Sequence, residues 1–243
     1  MQSKPYEELI DAANDARIGA NDNEAIKLYR EALAVGGPRD TEAHWMLGVG
    51  LINTDKHQEA LEEFEFVLTD SSDGERANVL RDKARALTRI KRYDEADKTI
   101  SESLKLLEAS GDRSEYGATV GFAARLKLEQ GKTAEALEEF KKADELLKAA
   151  ENRHFELYNK MHYAEALSEY GDKKEAERVL AEAEALIPQY GGEKHGKRAE
   201  DLRSKIAILV LLVGVAGSTL TGFGAQGHDI LQSNQQVSQQ TQS

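Results

Sequence analysis

The chain has 243 residues, a net charge of −12, 31% charged residues and no cysteine. So acidic a protein is a poor general binder of nucleic acid, whose phosphates require cationic contacts, and without cysteine neither a disulfide framework nor a thiolate metal site can form. Ala, Glu, Leu and Lys dominate the first 190 positions, where Gly and Pro are not abundant, which is the composition of an all-α protein.

The segment Met1 to Asp15 turns acidic early and lacks the apolar run of a secretory signal, so none is expected. Charge is unevenly distributed. Residues 191–243 hold five lysines and arginines against four acids, which leaves residues 1–190 at −13.

Along those 190 residues one pattern returns five times. Ala25, Ala60, Ala96, Ala136 and Ala176 follow one another at intervals of 35, 36, 40 and 40 residues. Four positions after each comes a large apolar residue: Tyr29, Phe64, Ile100, Phe140 and Leu180. Turn-forming stretches such as Asn21-Asp22-Asn23, Gln130-Gly131-Lys132 and Tyr170-Gly171-Asp172 precede the alanines. Between them apolar residues recur at three- and four-residue steps, the signature of amphipathic helices. The second interval predicts a helix A over Glu42–Asn53 and a helix B over Gln58–Leu68. Gly48 and Ala60 would let the two backbones approach closely, and Phe64 would fill the space toward the next pair. Ala13 with Ala25, Ala84 with Ala96, Ala124 with Ala136 and Ala164 with Ala176 repeat that grammar. A period of this length marks stacked helical repeats.

The pattern resembles the tetratricopeptide repeat (TPR) family, carried by Leu47-Gly48, Ala60 and Phe64 and, in the last unit, Ala183 and Pro188. The resemblance covers residues 6–188. It implies an α-solenoid of about five helix-turn-helix units in a right-handed superhelix, a repeat domain over 1–190 with units near 6–40, 41–74, 77–112, 117–152 and 157–190. Val67 and Ser103 depart from the small residue the family prefers there, and the third and fourth units stretch to 40 residues, with 107–113 extending helix B.

Family members bind proteins or peptides on the face lined by their A helices. By that resemblance the groove residues are Asn14; Trp45, Val49 and Ile52; Arg81, Arg85 and Thr88; Arg125; and Tyr158, Met161 and Glu165. Arg81, Arg85 and Arg125 would converge, and guanidinium forks suit an acidic segment or a terminal carboxylate. Pairing with local acids, for instance Asp82 with Arg85, is the alternative. Trp45 is either an anchor for a partner or an inter-helix packing residue. The family's two-carboxylate clamp for chaperone termini is not reproduced: Asn14 matches one position, but Ile10, Met46, Asn78 and Asp82 stand at others.

Several apparent motifs fail on context. Gly191 to Arg198 resembles a phosphate-binding loop, yet Arg198 replaces the Ser/Thr that would hold magnesium and no buried strand precedes it. Gly222, Gly224 and Gly227 fit a dinucleotide pattern with no βαβ unit around it. Gly131-Lys132-Thr133 is an inter-helix turn, the six histidines show no zinc spacing, and 70–75 lacks the alternating oxygens of a calcium loop. No cofactor, metal or catalytic group is expected, and the chain reads as a non-catalytic interaction scaffold.

Beyond Pro188 the composition changes. Residues 191–205 read as a basic linker and helix, and 206–225 as an uncharged apolar stretch of twenty residues. As a helix that length spans about 30 Å, the thickness of a bilayer core. Basic residues before it and none after it would place the repeats in the cytoplasm and the Gln- and Ser-rich tail, 226–243, on the far side as a disordered segment. Gly214, Ser218 and Gly222 form a small-residue stripe for membrane-helix packing. The expectation is thus a single-pass membrane anchor. The competing reading is a soluble cytoplasmic adaptor in which Ala199, Leu202, Ile206 and Leu209 cap the repeats, or in which the segment is buried in another subunit of a homo-oligomer.

Overall fold

The computed structural model describes residues 5–69 and 72–209. Ten helices follow in order: α1 (Tyr6–Ile18), α2 (Asp22–Val35), α3 (Asp40–Asn53), α4 (His57–Leu68), α5 (Asp73–Arg89), α6 (Tyr93–Ser110), α7 (Arg113–Glu129), α8 (Thr133–Ala149), α9 (Arg153–Tyr170) and α10 (Lys173–Tyr190). An eleventh, α11, is described over 193–209, and there is no strand among the described residues. The chain divides into two units, 1–159 and 160–243, the boundary falling inside α9.

Helix ends follow from short polar side chains. Asn21 Oδ1 accepts the Glu24 amide, Asp112 Oδ1 the Glu115 amide at 2.9 Å, and Asp172 Oδ1 the Lys174 amide at 2.8 Å, so each start has a donor satisfied that would otherwise be orphaned. At α5 the Glu75 carboxylate reaches back to the Ser72 amide and hydroxyl. The first four turns between paired helices are copies of one another. Ala20, Asp55, Lys91 and Gly131 all have positive φ, between 57° and 77°. The following amides, of Asn21, Lys56, Arg92 and Lys132, donate to the carbonyls of Ala16, Leu51, Leu87 and Lys127. This is a Schellman closure, and it sits five residues before each of the first four repeat alanines.

In unit one, α1/α2, α3/α4, α5/α6 and α7/α8 pack as hairpins, and each hairpin stacks on the next. Ala13, Ala25, Ala60, Ala84, Ala96, Ala124 and Ala136 are completely buried at these contacts, and Tyr29, Phe64 and Phe140 are buried beside them. Gly48 marks a close approach of α3 to α4: a Cβ there would lie 2.5 Å from the Phe64 ring. The departures from the small-residue position also find physical reasons. Val67 is buried, and the buried Ser103 donates its hydroxyl proton to the Ala77 carbonyl at 2.6 Å. Helix B of the third repeat is extended, but it stops at Ser110; Gly111 takes positive φ and Asp112 already caps α7.

Unit two contains the later part of α9, α10 and α11. Ala164 and Ala176 are fully buried. Within the expected basic linker and helix of 191–205, only Gly191 and Gly192 are non-helical, since helix resumes at 193 and runs through Gly196. Ala199, Leu202 and Ile206 form the buried stripe of α11. Arg198 donates to Glu165 Oε2 at 2.6 Å, Arg203 pairs with Glu184, and Lys205 lies 3.6 Å from Glu169, so α11 is tied to both α9 and α10. Ile206 is 1% exposed. Its burial on protein is a correction to the membrane span expected to begin there.

Among the described residues no helix is long and apolar enough to cross a membrane. The remainder of the expected span, 210–225, with Gly214, Ser218 and Gly222, and the tail 226–243 lie outside the described residues.

Candidate functional site

In unit one α3, α5 and α7 lie side by side, and a row of polar and aromatic side chains runs across them, from Asp22 of α2 to Tyr158 of α9. At the end of α3, Asn53 Nδ2 donates to Asp22 Oδ1, while its Oδ1 accepts from Arg85 Nη2 at 2.9 Å. Trp45 Nε1 donates to Asp82 Oδ2 at 2.9 Å. Arg81 Nη1 donates to Glu115 Oε2 at 2.9 Å and to Thr119 Oγ1 at 3.3 Å. Arg89 lies 3.4 Å from Glu129. Arg125 Nη1 donates to the Tyr158 hydroxyl at 2.7 Å, and its guanidinium lies over the Phe122 and Tyr158 rings, 5.6 and 5.5 Å from their centroids.

The expected groove residues therefore divide. Arg81, Arg85, Arg125, Tyr158 and Trp45 all belong to this row. Trp45 is half-buried, packs against the core and has its indole N–H engaged, which favours the packing reading over a free anchor. Val49 and Ile52 pack in the same core, Val49 half-buried and Ile52 buried. Asn14 is spent inside the first hairpin, where its Oδ1 accepts the Tyr29 hydroxyl at 2.7 Å. Thr88 is buried and returns its hydroxyl to the Ala84 carbonyl. Met161 is fully buried, so the groove position assigned to it is corrected: it presents no surface to a partner. Glu165 holds Arg198 of α11. Asp82 does not pair with Arg85; its carboxylate is turned to Trp45.

Six contributors were not singled out from the sequence: Asn53, Arg89, Glu115, Thr119, Phe122 and Glu129. Phe122 and Arg89 carried a readable signal, since they stand one helical turn from Arg125 and Arg85. Asn53 and Glu129 carried none, because they close helices opposite arginines 32 and 40 residues away.

The electrostatics are uneven. Burial pushes Arg85 below the usual arginine value, Asp82 opposes this, and Arg125 and Arg89 add to it. Arg85 Nε is shielded and has no hydrogen-bond partner. His57, at the start of α4, is held below the ordinary imidazole value by burial first, with Arg89 and Arg85 acting in the same sense against Asp55. Its Nδ1 is also buried without a partner. Among the described residues no group of three His, Asp or Glu could hold a metal ion.

No protein-family model matches the sequence, and no curated protein matches it. Solved structures do. A Rap protein in complex with Competence and Sporulation Factor superposes with a TM-score of 0.72 over 80% of this chain, at 13% identity. Aspartyl phosphate phosphatase F of Bacillus subtilis does so at 0.69 over 82%, at 14% identity. A thermophilic TPR protein of Thermus thermophilus gives 0.60 over 85% of this chain and 99% of its own, at 18% identity. The fold is TPR-like. The chain spans 57% of the Rap protein and 55% of the phosphatase, so the TPR-like likeness concerns architecture and carries no activity across.

Proposed function

We propose that this TPR-like chain is a non-catalytic scaffold of five helical-pair units that takes a protein segment on the odd-helix face of unit one, with α11 covering α9 and α10 within unit two. The observation that carries the reading is the row from Asn53 to Tyr158. In an acidic protein it gathers four arginines on one face, and two of them, Arg85 and Arg125, have no carboxylate within ion-pair distance among the described residues. The Rap structure, which holds Competence and Sporulation Factor, supports the reading as an architecture compatible with partner binding. The buried stripe of α11 supports the cap over the anchor.

The test is capture of a partner by the full chain followed by amide hydrogen exchange. Added protection is expected on α3, α5 and α7 and not on α4, α6 and α8. The triple replacement Arg81→Glu, Arg85→Glu, Arg125→Glu should abolish capture. Protection confined to the even helices, or capture unchanged by the triple replacement, would overturn the assignment.

A further inference from the structure

The three arginines expected to act together are not equivalent. Arg81 is committed to Glu115 and Thr119, and Arg89 next to it on the row is committed to Glu129. Arg85 and Arg125 are held instead by neutral oxygens, those of Asn53 and Tyr158. Three acids of the row already have donors: Asp82 takes Trp45, Glu115 takes Arg81 and Glu129 takes Arg89. Two guanidinium groups that sense each other's charge are thus oriented without a counter-ion, in a chain with 44 acids. Orientation at that cost is the arrangement an incoming anion repays.

We infer that Arg85 and Arg125 form a receptor for one carboxylate side chain, Asp or Glu, of an extended segment crossing the odd-helix face, with Arg81 outside the receptor. The inference rests on the reading of that face as the partner surface. Arg125 is held beside the Phe122 and Tyr158 rings and by the Tyr158 hydroxyl, which accepts from Nη1 alone and leaves its other N–H groups for a carboxylate. Arg85 keeps an unpartnered Nε that a carboxylate oxygen can satisfy after a small rotation of the side chain. A carboxylate fits better than a phosphate because the surrounding Asp82, Glu115 and Glu129 penalise a dianion more than a monoanion. A side chain fits better than a chain terminus because Arg85 is central: Arg81 lies one turn before it on α5 and Arg89 one turn after, so the segment has row to occupy in both directions.

The full chain is probed with an array of random hexapeptides, acetylated and amidated at their ends, and the tightest binders are measured in solution. The expected binders share one Asp or Glu. Its amide counterpart in the peptide, Arg85→Gln, or Arg125→Gln should each weaken binding by about tenfold or more, as loss of a charged hydrogen bond does. Combining the peptide amide with either arginine variant should cost little beyond one change alone. Arg81→Gln should stay within about twofold. Binders without an acid, or acidic binders indifferent to Arg85→Gln and Arg125→Gln, overturn the receptor; if those peptides still protect α3, α5 and α7 from exchange, the face remains the partner surface. Tighter binding of a phosphoserine peptide, or a requirement for a free carboxy terminus, also overturns it. An array with no binders overturns both readings.

Discussion

At single residues the repeat is held together by how little space it leaves. Gly48 lies within α3, where an alanine would ordinarily favour the helix by about 1 kcal/mol. Here the added Cβ would sit 2.5 Å from a Phe64 ring that is itself completely buried and has nowhere to retreat. Overpacking wins, and Gly48→Ala is expected to destabilise unit one by about 1–3 kcal/mol in urea unfolding. His57 supplies a pH dependence of definite sign. Folding holds it below 6.5, so as pH falls the unfolded chain takes up the proton first. Its contribution is complete above pH 6.5 and is lost as pH falls through 6.5 toward the folded value. The urea midpoint should therefore decline more steeply between pH 7.5 and 5.5 in the wild type than in His57→Gln, and identical slopes would remove His57 from the account.

At the scale of the helix, the pattern visible in the sequence was the one set by local spacing. The buried alanines, the large residue four positions on and the polar caps are all short-range features, and α1 to α10 follow from them. The end of α6 was harder to read, because Gly111 ends the helix by backbone conformation while 107–113 keeps helical composition. The start of the C-terminal segment was hard to read for a related reason. Ile206 opens a run of apolar residues that is long enough to span a bilayer, but burial depends on what a helix meets. Ala199, Leu202 and Ile206 meet protein, with Leu180 and Ala181 of α10 lining the same cleft as Arg203, Ile206 and Ala207. The proposed role of α11 is to cover an apolar face of the last repeat, although its outer side also exposes Ile208. Ile206→Ala is accordingly expected to cost about 2–4 kcal/mol, and the loss should show as faster amide exchange in α10 and α11 with α3 to α6 unaffected. Unchanged exchange in α10 would mean that α11 does not support it.

Across the whole molecule the arginine row was legible only through the repeat period, which placed Arg81, Arg85, Arg125 and Tyr158 on one face while they stand up to 77 residues apart. What the period could not show was which acids they meet, because Glu115 and Glu129 belong to a neighbouring repeat and the choice between them is made by side-chain reach. That choice sets two Coulomb fields against each other. Within a few ångströms Arg85 and Arg125 attract an anion; at longer range residues 1–190, at −13, repel it. Salt separates the two, since the Debye length falls from about 30 Å at 0.01 M to about 8 Å at 0.15 M. Raising salt across that interval removes the long-range repulsion that slows encounter and only weakens the short-range pairing that holds the complex. Stopped-flow association of an acidic hexapeptide should thus become faster as salt rises, while dissociation also becomes faster. A basic groove that steers its ligand from a distance behaves in the opposite way, with association slowing steeply as salt is added. Observing that slowing here would mean that the arginine row dominates the field of the entire chain.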